Sequence, residues 1–305
     1  MMREVIIIGG GPAGYAAGIY CARAQLAPLL FTGKDLGGQI ALTEEIENYP
    51  GFADPVGGFE LSDQMRRQAE RFGTEMIQDV VTGVRLTEQP FEVTAGNGQV
   101  HQAKSVIVAT GASYRRLGVP GEERLVGHGV SYCATCDGFF FRDQKVLVVG
   151  GGNAALDEAI YLSRIVKEIR IVHRRDELRG DKILQDRAMA TGKIGVIWDS
   201  VVVEIVGEEH VTGARLKNVK TGEESNVEAS GIFIFIGYIP NTGLFKGQLE
   251  MDEGGHLIVD EHQATSIPGV FAAGDVHDWR YRQVATASGY GVMAAAEVQR
   301  YLSEA

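Results

Sequence analysis

Residues 5–23, VIIIGGGPAGYAAGIYCAR, and residues 146–164, VLVVGGGNAALDEAIYLSR, are two copies of one pattern. Eight of the 19 positions are identical, including three glycines and the pairs Ile19-Tyr20 and Ile160-Tyr161. Each copy opens with four aliphatic residues, as a parallel strand buried on both faces requires. A glycine turn follows, then a helix whose small residues can lie against a sheet. This order of elements is the one that cradles a dinucleotide. The chain is therefore predicted to be α/β with two Rossmann-like dinucleotide-binding domains, and one cofactor will not occupy both.

In the first copy, Gly9 permits the tight turn, Gly11 lets backbone N–H groups approach a pyrophosphate, and Gly14 allows the helix close to the strand. Pro12 and Ala13 complete this candidate site. The acid expected about 20 residues on is missing, since the next strand ends PLLFTGK with Gly33 and Lys34. In the second copy the candidates are Gly150, Gly152, Asn153 and Ala154. Its following strand, IRIVH, runs into HRRDELR. Where an NAD site places a carboxylate, this chain offers His173, Arg174, Arg175 and Arg179. Guanidinium forks match a phosphate, so the cluster points to the 2′-phosphate of NADP(H) over a solvated basic turn. Three more aliphatic strands stop at glycine, in VIVATGA at 106–112, IFIFIGYIPNT at 232–242 and GVFAAGDV at 269–276, and the first supplies Gly111.

A net charge of −11 over 305 residues leaves no general basic footprint, so no nucleic-acid or anionic-membrane partner is expected. The 40 glycines suit a chain with many close backbone approaches. No apolar stretch is long enough for a secretory signal or a membrane span, and a cytoplasmic location is expected. In that reducing compartment Cys133-Ala-Thr-Cys136 reads as redox-active or metal-binding. A metal needs four ligands, and only Cys21 and His128 are candidates to join the pair, so no metal is expected. Cys21, inside an Ala-rich helix, reads as a small buried hydrophobe.

The ordered series GGGPAG, GGQI, ENYPG, ATGA, CATCDGFF, GGGNAA, HRRDELR, IPNT, AAGDV and YRQVATASG resembles the low-molecular-weight, bacterial-type thioredoxin reductases over essentially the whole chain. The resemblance implies an NADP domain, residues 114–241, inserted into an FAD domain formed by residues 1–113 and 242–305, with crossings near Tyr114 and Asn241. It adds Gly38, Gln39, Asn48, Asp275, Gln283 and Val284 to the FAD site, with Asp275 holding a ribityl or ribose hydroxyl. It also implies a Cys133–Cys136 disulfide reduced through FAD by NADPH, with Cys136 facing the flavin. Asp137 is implied to exchange a proton with the pair, and the electrons to pass to thioredoxin. Phe139, Phe140 and Phe141 are implied in docking that partner, although core packing is an equal reading for Phe139 and Phe141. A homodimer is implied too. Because the nicotinamide site and the cysteine pair share the inserted segment, the resemblance implies that this domain rotates between half-reactions. The alternative is a flavin reductase of the same fold acting on another protein or on a small disulfide or dithiol. Two departures stand out: His128 replaces an Arg, and Tyr238 a His, of a well-known form of the family.

Overall fold

The computed structural model describes residues 2–34, 36–43, 46 and 48–304. The first segment runs through β1 (Arg3–Ile8), α1 (Pro12–Arg23), β2 (Leu29–Phe31), α2 (Gly58–Phe72), β3 (Glu75–Ile77), β4 (Val81–Arg85), β5 (Phe91–Ala95), β6 (Val100–Val108) and β7 (Ala112–Tyr114). The middle segment holds β8 (Val130–Ser131), α3 (Ala134–Asp137), β9 (Lys145–Gly150), α4 (Asn153–Leu162), β10 (Glu168–Val172), α5 (Lys182–Ala190), β11 (Ile194–Ile197), β12 (Ser200–Gly207), β13 (Val211–Asn218), β14 (Glu224–Glu228) and β15 (Gly231–Phe235). The last has β16 (Tyr238–Pro240), β17 (Val270–Ala272) and α6 (Val284–Glu304). No helix among the described residues is long and apolar enough to cross a membrane.

Two compact units result. The first combines Met1–Leu42, Ile46–Ser113 and Ile239–Ala305, and the second is built on Tyr114–Tyr238. The chain enters and leaves the second unit on β7 and β16, which pair with each other. Asn241, expected near the return crossing, belongs to the first unit. Its side-chain amide donates to the Thr110 carbonyl and its backbone N–H to the Gly111 carbonyl, both at 2.9 Å, while Ser113 Oγ donates to its Oδ1 at 2.9 Å. These bonds stitch Asn241 to the loop after β6, and the crossing falls earlier, between Tyr238 and Ile239.

In the first unit the strand order is β3-β2-β1-β6-β5-β4, with β17 also paired to β6. β1, β2, β3, β6 and β17 are parallel, while β4 and β5 are antiparallel additions. Alternation along β1 sends Ile6 and Ile8 toward Phe91, Val93 and Phe245, and sends Val5 and Ile7 toward the small residues of α1 and α6. Both faces are covered, which is why the run VIII carries no polar residue. The second unit repeats the scheme with a parallel sheet of order β11-β10-β9-β15-β8. There Val146 and Val148 face Leu156, Ala159 and Leu162 of α4, while Leu147 and Val149 face a three-stranded antiparallel sheet, β12-β13-β14, through Val202, Ile205 and Leu216.

Each glycine strand, β1 or β9, therefore lies at the centre of its sheet with a helix starting at its carboxyl end, where such sheets bind ligands. Gly9 has φ +122°, a conformation open to glycine, and a Cβ on Gly14 would overlap the Gly9 carbonyl oxygen. Gly14→Ala is expected to lower stability by about 2 kcal/mol or more. Gly11 has no heavy atom within 4 Å of where its Cβ would stand, and Gly11→Ala should melt within a few degrees of the natural protein. Thermal unfolding of the two variants side by side checks this contrast, and equal melting would refute it.

Candidate redox and dinucleotide sites

In the first unit the structure brings Gly38 and Gly274 to the turn Gly9–Gly14. Helix α1 begins after Gly11 with Pro12 at its first position, which suits a residue without an N–H where the helix makes no bond. Gly38 has φ +65° and packs its backbone on the Gly11 Cα, and the Gly37 N–H donates to the Gly10 carbonyl at 3.1 Å. This brings Gln39 beside the turn. Gln39 Oε1 is buried and accepts no hydrogen bond among the described residues. From the far end of the chain, Gly274 packs against Ala13 and carries Asp275 to the same place. Asn48 Nδ2 donates to Gln283 Oε1 at 3.2 Å, joining two candidates 235 positions apart, and Val284 is the first residue of α6. Gly111 follows β6 in the left-handed region at φ +66°.

Burial pushes the Asp275 carboxyl up to about 6, with the nearby Asp278 adding to the shift and Arg282 opposing it. A ligand hydroxyl donating to this shielded carboxylate would relieve it. Asp278, which sequence reasoning passed over, shapes the following loop. Its carboxylate accepts the N–H groups of Arg280 and Tyr281 at 2.9 Å and of Arg282 at 3.3 Å, and Arg282 adopts φ +50° just before Gln283. His277 was missed as well. Burial holds its imidazole down at about 4, and its ring packs edge-on against Tyr290 at 4.5 Å. The orphaned Gln39 acceptor, the shielded Asp275 and the open space at Gly11 fit a flavin dinucleotide.

In the second unit Gly152 also has no heavy atom near where its Cβ would stand, and α4 starts directly after it. Arg174, Arg175 and Arg179 are exposed beyond β10. Their acidic neighbour Asp176 is taken by Lys220 at 2.8 Å. His173 is placed differently: it is 4% exposed, its Nδ1 lies 2.7 Å from the Gly150 carbonyl oxygen, and its ring fills the space that a Cβ on Gly151 would need. It braces the glycine turn from below. Asn153 is engaged likewise, since Oδ1 accepts the Asp181 N–H at 2.7 Å and Nδ2 donates to Asp181 Oδ2 at 2.9 Å. With the Arg179 N–H donating to the Gly151 carbonyl at 2.7 Å, the basic loop is tied to the turn, and Ala154 is exposed beside it.

Cys133 and Cys136 form a disulfide across the one-turn helix α3, with Cα atoms 5.3 Å apart. Ala134, fully buried, and Gly138, packed on Leu162, anchor the turn and leave both cysteines half-buried. Phe141 packs into the core against Gly231 and edge-on to Phe233 at 5.3 Å. Phe139 and Phe140 are 49% and 39% exposed, with the Arg142 guanidinium 5.0 Å from the Phe139 ring. His128 is exposed, its ring 5.7 Å from His210. Cys21 is fully buried, as expected. The strand leading to Cys133 is fastened by residues that sequence reasoning missed. Tyr132 stacks on Tyr114 at 4.6 Å and donates its hydroxyl to Glu122 Oε1 at 2.8 Å, and the buried Glu122 carboxylate also accepts the N–H groups of Leu117 and Gly118. Tyr238 gains a role here, since its ring lies 5.0 Å from Tyr114 and its hydroxyl donates to the Tyr132 carbonyl at 3.3 Å.

A disulfide and two strand–glycine–helix turns in one chain are the parts that a nucleotide-linked disulfide oxidoreductase needs. The chain belongs to the pyridine nucleotide-disulphide oxidoreductase family, whose pattern matches residues 3–291. That membership implies a flavin and a nicotinamide cofactor. The chain is 53% identical over 304 residues to a thioredoxin reductase of Streptomyces coelicolor, covering 99% of this chain and 94% of that protein. It is 51% identical over 305 residues to one of Rickettsia conorii, covering 99% and 98%. Among solved structures, the thioredoxin reductase of Streptococcus pyogenes matches with a TM-score of 0.93 at 46% identity, covering 100% of this chain and 99% of that one.

Two outcomes test the nucleotide sites. Asp275 has a folded-state value raised to about 6 from 3.8, so in the flavin-free protein its ionisation opposes folding, progressively from the lower pH to the upper. Asp275→Asn should stabilise flavin-free protein by about 1–3 kcal/mol at neutral pH, and by almost nothing near pH ~4, while loosening flavin. Melting curves at the two pH values, with fluorescence titration of flavin, read both effects. Replacing Arg174 and Arg175 by Gln should weaken NADPH about tenfold or more per contact and NADH little. Equal weakening of both nucleotides, measured by calorimetry, would assign the arginines to the fold.

Proposed function

We propose that this chain is an NADPH-dependent thioredoxin reductase, passing two electrons from NADPH through FAD to the Cys133–Cys136 disulfide and on to oxidised thioredoxin. The observation that carries this reading is the disulfide itself, held half-buried on a single helical turn in the same unit as a glycine turn bordered by exposed arginines. Relatives and solved structures of similar sequence that bear the name thioredoxin reductase support it.

In this reading the first glycine turn and the start of α1 hold the FAD pyrophosphate, with Gly38, Gln39 and Gly111 close to the flavin dinucleotide. Asn48, Gln283 and Val284 complete that site, and Asp275 accepts a hydroxyl of the ribityl or ribose. FAD, when bound, supplies a two-electron carrier between a hydride donor and a disulfide. Gly150, Gly152, Asn153 and Ala154 present the second turn to NADPH, with Arg174, Arg175 and Arg179 on its 2′-phosphate. His173 supports that site through the turn it braces. Cys136 is the flavin-facing sulfur, as the family resemblance implies, which leaves Cys133 to exchange with the partner as the reactive thiolate. Asp137 gives and takes the proton that thiol chemistry moves. The exposed Phe139 and Phe140 offer apolar anchors to a transient protein partner, and His128, where a well-known form of the family has Arg, makes that docking differ from that form's.

Both the nicotinamide turn and the cysteine pair belong to the inserted segment, so in this reading they take turns at the flavin by rotation of that domain. The protein is further read as a cytoplasmic homodimer without nucleic-acid or membrane partners. Steady-state oxidation of NADPH, followed with and without thioredoxin and with NADH in parallel, is the decisive assay. Consumption should depend on thioredoxin and strongly prefer NADPH; consumption indifferent to thioredoxin would sink the reading.

A further inference from the structure

Strand β8 ends at Ser131, two residues before Cys133, and buries a polar side chain that is only 3% exposed. Its hydroxyl oxygen accepts the Cys133 N–H at 3.1 Å. Two acceptors compete for its single proton, Asp137 Oδ2 at 2.5 Å and the Cys133 carbonyl at 3.1 Å. The carboxyl oxygen is the nearer of the two, so it takes the bond. The Asp137 N–H itself donates to the Cys133 carbonyl at 3.2 Å. A chain of hydrogen bonds thus runs from the backbone of Cys133, through a buried hydroxyl fixed on a strand, to the carboxylate that adjoins Cys136. An Asp side chain at the end of a single helical turn has several rotamers open to it. A donor anchored in the sheet selects one of them.

We propose that Ser131 is a positioning residue that holds the Asp137 carboxylate for proton exchange with Cys136, an inference that rests on the role given to Asp137 above. The Cys133 thiolate attacks the partner disulfide, forming a mixed disulfide and releasing one partner sulfur as thiolate. Cys136 then gives its thiol proton to the Asp137 carboxylate, and its sulfur attacks Cys133 in the mixed disulfide. The Cys133–Cys136 bond re-forms and the second partner sulfur leaves with the electron pair. Two electrons have passed from the protein dithiol to the partner. Of the two protons the partner sulfurs acquire, one balances the proton held by Asp137 and the other the one Cys133 released to solvent. Ser131 keeps its own proton throughout and serves by fixing the geometry of the acceptor.

The test uses NADPH-reduced holoenzyme mixed with oxidised thioredoxin. Ser131→Thr and Ser131→Val put the same branched shape into a buried site and differ in a hydroxyl against a methyl group, so their comparison isolates the hydroxyl from most of the change in packing. The Val variant should turn over about tenfold more slowly than the Thr variant, with the KM for thioredoxin and the rate of flavin reduction by NADPH unchanged. When each is combined with Asp137→Asn, the two should be equally slow, because the hydroxyl then has no carboxylate to position. Equal rates for Thr and Val beside the natural Asp137, or a Thr–Val difference that persists when Asp137→Asn is also present, overturn the positioning role. An Asp137→Asn enzyme as fast as the natural one instead overturns the role of Asp137 itself.

Discussion

A helix that starts hard against the end of a buried parallel strand leaves its first N–H groups facing open space. The chain makes this contact twice, and both candidate nucleotide sites depend on it. At the first turn the Gly14 backbone presses on the Gly9 carbonyl; at the second, the Ala155 methyl group occupies the space over Gly150. The first copy leaves no room for a side chain at the third position of the turn, while the second accommodates a methyl group there. The middle glycine faces open space in both, at Gly11 and at Gly152. Tight packing on one side of the turn produces an open, donor-lined surface on the other.

Around that shared frame the two units differ in how they meet charge. The first has a shielded carboxylate, Asp275, raised in pKa because burial has stripped its solvent. A neutral sugar hydroxyl is the natural complement. The second has exposed arginines, with Asp176 of the same loop paired to Lys220. A phosphate suits that surface. A buried acceptor in one unit and surface cations in the other thus ask for different parts of a nucleotide.

The strands, the glycine turns and the basic loop were legible in the sequence because their signals are local: a four-residue aliphatic run, a fixed glycine spacing, a charge cluster one strand later. The joining of Asn48 to Gln283 and the arrival of Asp275 beside Ala13 rested on resemblance, since no local pattern relates residues more than 200 positions apart. His173 shows what a charge cluster hides. Three of four basic residues in HRRDELR reach solvent, while the one with a flat, partly apolar ring turns inward under the glycine turn. The fastening of the cysteine turn by Glu122, Tyr132, Tyr114 and Tyr238 was invisible for a related reason. It is built from side chains far apart in the chain, at Tyr114, Glu122, Tyr132 and Tyr238, and a tyrosine stack has no spacing rule. Sequence noted Tyr238 as a departure, and folding gave it a contact.

Cys21 lies at 0% exposure, and burial pushes its thiol up to about 12. Buried and holding little thiolate, it is a poor nucleophile toward a disulfide and a poor target for an oxidant. The chain therefore has no third reactive thiol through which its disulfide could scramble. Its reactive-thiol titre in the folded state takes two values, none when oxidised and two when reduced, and a simple alkylation count becomes a direct gauge of how many electrons the cysteine pair is holding.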